Sequence, residues 1–200
     1  MKIESIVFSV AGMCFGIILG WVIGAQQASR GPAAPAAAAA PAQSPERQAP
    51  PLDEAKVQSL MTILKNDPKN AGAALQLANT YYDAERYPDA IKWYEESLKL
   101  DPKNPDASTD LGVSYYYTGQ VDKALQQFEQ SLKMDPRHTK TMLNQGIVLA
   151  FGKQDLPAAQ AVWKQVVDIA PDSAEGQAAR RALETLAGAG HPATPATPGS

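Results

Sequence analysis

Between Val57 and Leu186 the apolar residues return every three or four positions, the spacing that gathers them on one side of a helix. Val57, Leu60, Met61 and Leu64 open the pattern. Leu77-Ala78-x-x-Tyr81, Leu111-Gly112-x-x-Tyr115 and Gln145-Gly146-x-x-Leu149 carry it on. Each is followed, further along the chain, by an alanine with an aromatic four positions later: Ala90 and Tyr94, Ala124 and Phe128, Ala159 and Trp163. Polar phrases divide the blocks: Asn66-Asp67-Pro68-Lys69-Asn70, Leu100-Asp101-Pro102-Lys103-Asn104, Met134-Asp135-Pro136-Arg137-His138 and Ile169-Ala170-Pro171-Asp172. Their prolines stand 34, 34 and 35 residues apart. Every interval holds two helical stretches, so the pattern predicts an all-α array of stacked helix pairs.

Within a pair, the small residue of the first helix and the alanine of the second allow close approach, and the aromatic fills the space beside them. Pro88 and Pro157 fall in the first turns of second helices, where a missing N–H costs no bond. Gly119 and Gly152 are placed to end the first helices of units two and three as C-terminal caps. The pairs occupy about residues 71–104, 105–138 and 139–173 of a folded region spanning 52–188. Ahead of them, Asp53 to Asn66 reads as a lone second helix of an incomplete unit, with Asp53 and Glu54 complementing the helix dipole. Behind them, residues 174–187 form a closing helix with Ser173 as N-cap and Gly188 as its stop. Its Ala178, Ala179, Ala182, Leu183 and Leu186 make an apolar face, while Arg180, Arg181 and Glu184 back it with polar surface.

These residues resemble the tetratricopeptide repeat (TPR) family: large–small–x–x–aromatic in helix A, alanine and aromatic in helix B, proline at the end. The resemblance covers roughly Asp53 to Leu186 and implies a superhelix of three repeats with flanking helices. Unit three departs from the pattern, with Gln145 in place of leucine and one added residue that predicts a looser turn near Lys153–Leu156. The resemblance also implies a concave face lined by the A helices, on which a protein or peptide partner binds. Its positions are Leu75, Gln76, Asn79, Tyr82 and Asp83 in unit one, and Thr109, Asp110, Val113, Tyr116 and Tyr117 in unit two. Unit three supplies Lys140, Leu143, Asn144, Ile147, Ala150 and Phe151. Grouped apolar and aromatic residues on an open face mark a partner site, unless they pack beneath neighbouring helices. One TPR subfamily grips chaperone C-termini with a lysine–asparagine–asparagine–lysine–arginine clamp. Only Asn79 and Lys140 match it; Leu75, Asp110 and Asn144 hold the other places, and Asp110 would repel a carboxylate.

A second rhythm governs the N-terminal end. Ser5 to Ala25 is an almost unbroken apolar run of 21 residues, long enough to cross a bilayer core of about 30 Å. A cleaved signal peptide would have a shorter apolar region and a small-x-small cleavage site, and Ile23-Gly24-Ala25-Gln26 is a poor one. Residues 1–28 therefore read as a single-pass transmembrane anchor. Gly12, Gly16, Gly20 and Gly24 fall on one stripe of that helix, where a second helix can approach closely. This predicts self-association or pairing with another membrane helix, although glycine is in any case common in membrane helices. The short head and long tail predict a cytoplasmic N-terminus in an inner (cytoplasmic) membrane, with the TPR domain in the periplasm or otherwise outside the cell. Residues 29–51 are an Ala/Pro-rich, disordered linker. Pro32 to Pro51 would reach roughly 60 Å fully extended. Residues 189–200, rich in Pro, Ala and Thr, read as a disordered tail.

Composition removes several alternatives. Eighteen Lys and Arg against 21 Asp and Glu give a formal charge of −3, without the basic excess of a nucleic-acid-binding face. The single cysteine, Cys14, lies in the apolar run, so no intrachain disulfide forms. Of the two histidines, His138 reads as a solvated turn residue and His191 as part of the tail. Glu95-Glu96 and Asp83-x-Glu85 read as exposed helix charges, and no phosphate-binding loop is present. No catalytic, cofactor or metal site is expected, and the chain is not read as an enzyme. Ala159, Trp163, Val166 and Pro171 also resemble the closing unit of membrane-anchored bacterial TPR subunits of cytochrome c maturation. That likeness implies an assembly factor holding apocytochrome for haem attachment. The leading reading is broader, a membrane-tethered scaffold binding a partner peptide or helix. A self-assembling structural protein is the rival from another class.

Overall fold

The computed structural model describes residues 49–189, and the secondary structure among them is helical throughout. The helices are α1 (Glu54–Asn66), α2 (Ala71–Asp83), α3 (Tyr87–Leu100), α4 (Pro105–Tyr117) and α5 (Val121–Met134). After them come α6 (Thr139–Ile147), which continues as a π-helical turn over Val148–Gly152, then α7 (Leu156–Ile169) and α8 (Ala174–Ala189). The predicted membrane anchor, its glycine stripe of Gly12, Gly16, Gly20 and Gly24, the Ala/Pro linker as far as residue 48 and the tail from residue 190 lie outside the described residues. Among those described, no helix is long and apolar enough to cross a membrane.

The recurring Asp-Pro phrase has a physical role at each of its polar positions. Its aspartate accepts from the backbone N–H two residues on, at Lys69, Lys103 and Arg137. Its asparagine then caps the next helix: Asn70 accepts from the Ala73 N–H and Asn104 from the Ala107 N–H, both at 2.9 Å. The third copy carries His138 there and has no side-chain cap, while the fourth uses Ser173, which accepts from Gly176 at 3.0 Å. Asp53 caps α1 and Asp155 caps α7 in the same way. One phrase thus closes a second helix and opens the following first helix.

The core lies where the alanine-and-aromatic pattern places it. Ala90, Ala124 and Ala159 are wholly buried, and Tyr94, Phe128 and Trp163 fill the space beside them. A Cβ built on Gly112 would stand 2.5 Å from Phe128 Cε1, and one on Gly146 would collide with the Trp163 indole. Tyr94 alone of the three aromatics carries a hydroxyl, which it donates to Asn79 Oδ1 at 2.7 Å. Unit two has Val113 at the position of Asn79 and unit three has Ile147, opposite a phenyl and an indole that need no such partner there.

Helix α4 packs along α6, and α6 along α8, whereas the second helices α3, α5 and α7 have no comparable contact with one another. The side on which α4, α6 and α8 meet is the inner side of the array. Unit three absorbs its additional residue inside the helix. The loosened turn expected at Lys153–Leu156 is largely replaced by the π-helical turn, which holds one residue more per turn than an α-helix. Gly152 consequently belongs to that turn and does not cap it; the left-handed residue is Gln154, at φ 58°. Helix α8 likewise runs through Gly188 without stopping there.

Candidate functional site

The inner side formed by α2, α4 and α6 brings together tyrosines from three elements. Tyr82 closes α2, Tyr116 and Tyr117 close α4, and Tyr87 opens α3. Tyr87 and Tyr117 stack face to face, 4.5 Å between centroids and 11° between planes. Tyr82 meets Tyr87 edge-on at 5.7 Å and Tyr94 at 6.2 Å, and Tyr116 leans on Tyr117 at 5.6 Å. These are the separations at which aromatic pairs attract beyond simple area burial. Tyr117 is 50% exposed, and Phe151, in the π-helical turn of the next unit, is 48% exposed. Two large apolar side chains thus stay open on helices whose other large residues are mostly covered.

The remaining predicted positions divide into two groups. Leu75, Leu143 and Ile147 are half-buried and pack against the cores of their own units. Asn79 is committed to the Tyr94 hydroxyl, and Asn144 donates to the Lys140 carbonyl at 2.8 Å. Val113 is buried with Phe128 and Val148, and Thr109 and Ala150 are buried as well, so these three do not form open surface. Tyr116 covers that same core while keeping part of its ring exposed. Tyr115, the neighbouring residue, turns away and donates to Glu95 Oε1 at 2.5 Å.

Charge on this side is organised around one lysine. Lys140 Nζ lies 2.9 Å from Asp110 and 3.5 Å from Asp106. Burial pushes the Asp110 carboxyl above its ordinary range, and Lys140 offsets this only in part. Burial acts to lower Lys140, but Asp110 and then Asp106 outweigh it and hold the ammonium pKa up. The two ends of the bridge are served unequally because Asp110 is the more enclosed, its side chain 18% exposed against 39% for Lys140. Burial, followed by Asp110, Tyr117, Tyr87 and Asp83, raises the Tyr82 phenol; burial, then Asp110, Tyr82 and Asp83, raises Tyr94. Both rings stay protonated and able to donate.

Sequence reasoning missed two features. Tyr87 stands where the other units open their second helix with Val121 or Leu156, so it reads as ordinary packing; only its ring stack on Tyr117 places it at the site. The other feature lies between units two and three, where Thr109, Ser131 and Thr141 put three wholly buried hydroxyls together. Thr109 and Ser131 both donate to the Pro105 carbonyl, and Thr141 lies 2.5 Å from Thr109 and 2.6 Å from His138 Nδ1. His138 is therefore an enclosed member of this junction and not the solvated turn residue that its sequence context suggests. No pattern within any one of the three helices marks this cluster. Among the described residues, no three His, Cys, Asp or Glu side chains are grouped as a metal ion would require.

Two family models match: one described as TPR repeat over residues 78–119, and one described as Tetratricopeptide repeat over residues 105–138. Residues 78–138 of the chain thus match TPR repeats. Solved structures share its fold at low identity. The crystal structure of MamA aligns with a TM-score of 0.55 at 16% identity, covering 66% of this chain and 85% of that one. The first TPR of Spaghetti (RPAP3), bound to an HSP90 peptide, gives 0.54 at 23%, covering 62% and 94%. The Yersinia enterocolitica type III secretion translocator chaperone SycD gives 0.55 at 18%, covering 63% and 96%. No curated protein matches the chain by sequence.

Proposed function

We propose that this chain is a membrane-tethered scaffold that holds a peptide or helix of a partner protein on the inner face of its repeats. The observation that carries the reading is the pair Tyr117 and Phe151. Both are half-exposed, Tyr117 at the end of α4 and Phe151 at the end of the first helix of the next unit, and neither occupies one of the positions that join the helices of a pair. Grouped exposed aromatics of this kind are characteristic of binding surfaces. Tyrosine suits such a surface because it offers a large apolar face, a polar tip and few torsions to freeze. The shared fold supports the reading: the RPAP3 repeat domain is bound to a peptide, and SycD is a chaperone. The tether is the apolar run from Ser5 to Ala25, with the Ala/Pro tract as spacer and the repeats on the periplasmic side of the inner membrane. The glycine stripe from Gly12 to Gly24 gives that anchor a surface for pairing with a second copy.

Tyr117→Ala separates binding from folding, because that ring is open while Tyr115 is wedged between units one and two. Affinity purification from membranes should lose the partners of Tyr117→Ala with its helical circular dichroism retained. Tyr115→Ala should instead lower the unfolding midpoint. Retention of the same partners by a folded Tyr117→Ala protein would contradict the assignment.

A further inference from the structure

The open tyrosine face carries an excess of negative charge. Asp83 ends α2 beside Tyr82, and Asp106 and Asp110 lie on successive turns of α4. Lys140 answers Asp110 and Asp106, so one ammonium stands against three carboxylates. Asp83 is exposed and has no ion-pair partner among the described residues. Asp83 follows Tyr82 at the end of α2, and Tyr82 meets Tyr87, which stacks on Tyr117, so the carboxylate and the three rings come together at this end of the helix pair. Tyr117 is held flat against Tyr87 on one side and is 50% exposed overall. A fixed aromatic plane beside a net excess of carboxylate charge is complementary to a planar cation. Guanidinium fits better than ammonium, being flat, weakly hydrated and able both to stack on a ring and to fork onto a carboxylate.

Resting on the inner-face reading above, we propose that the partner segment bound there is cationic and presents an arginine to the exposed ring of Tyr117, with Asp83 and Asp110 as its counter-charges. Such a segment would supply the positive charge that Lys140 alone does not. An acidic tail would meet Asp83 without an intervening cation, and Lys140 is already held by two carboxylates.

The test titrates the full chain in detergent micelles with three fluorescein-labelled dodecapeptides. One alternates leucine with arginine; in the others glutamine or glutamate replaces every arginine. Fluorescence anisotropy at low ionic strength should show binding of the arginine peptide, weaker binding of the glutamine peptide and none of the glutamate peptide. Added salt should weaken the first. Tyr117→Ala and Asp83→Asn should each reduce its affinity by about threefold or more. Glu129→Gln, which removes one exposed negative charge from α5, should leave it unchanged. Equal binding of the arginine and glutamine peptides, both weakened by Tyr117→Ala, would overturn the cationic partner and leave the inner-face reading standing. Binding of no peptide, or binding indifferent to Tyr117→Ala and Asp83→Asn, would overturn both, including the case in which a second copy or the chain's own linker covers the face.

Discussion

Glu85, Gly119 and Gln154 stand at the same step of the repeat, just after each first helix, and all three hold positive φ, at 56°, 77° and 58°. The backbone turns through the left-handed region there whatever residue is present, because the second helix must fold back onto the first. Glycine enters that region freely, whereas a side chain crowds the following carbonyl. Nothing lies within 4 Å of a Cβ built on Gly119, so a substitution there is penalised by conformation alone. Gly119→Ala should therefore cost about 1 kcal/mol, and Gln154→Gly should stabilise by about 0.5–1 kcal/mol. Urea unfolding of the two variants should move in opposite directions; movement in the same direction would contradict the strain. Part of this was open to sequence reasoning. Gly119 announced the turn, but the glycine of unit three sits two residues early, and the π-helical turn that displaces it leaves no compositional mark.

Two of the three helix pairs close through glycine. Ala78 serves opposite Tyr94, but Gly112 faces Phe128 and Gly146 faces Trp163, whose indole N–H donates to the Leu143 carbonyl at 3.2 Å. A methyl at Gly146 would strike the indole itself and force both ring and hydrogen bond to shift. Gly146→Ala should destabilise the array by about 1–3 kcal/mol. Gly72→Ala, in the exposed first turn of α2 where only Asn70 Oδ1 approaches, at 3.6 Å, should stabilise it by about 0.5 kcal/mol. Chemical unfolding of both variants checks the contrast, and an unchanged Gly146→Ala protein would contradict the close approach. At this scale the sequence was highly informative. Period, alanine positions and aromatics together specify which faces meet, since each is a local requirement repeated three times. The hydroxyl cluster of Thr109, Ser131 and Thr141 was not legible, because it assembles from three helices and no single helix signals it.

From α4 onward the first helices pack on one another, while Tyr117 and Phe151, at the ends of two of them, stay partly open. The sequence pointed to this face through the family resemblance but did not distinguish its open residues from its closed ones. Asn79 serves Tyr94, and Val113 serves Phe128, because the positions facing a partner and those facing the next helix differ by a fraction of a turn. Tyr87 reached the face from a second helix that the pattern assigned to packing. The central claim is that this side, and not the outer one, meets the partner. Site-specific photocrosslinking in intact membranes tests it most directly, with benzoylphenylalanine placed at Tyr117 or Phe151 on the inner side and at Glu129 or Gln165 on exposed turns of α5 and α7. Adducts to a common partner from positions 117 and 151, absent from 129 and 165, are the predicted result. Adducts from 129 and 165, with none from 117 and 151, would contradict it.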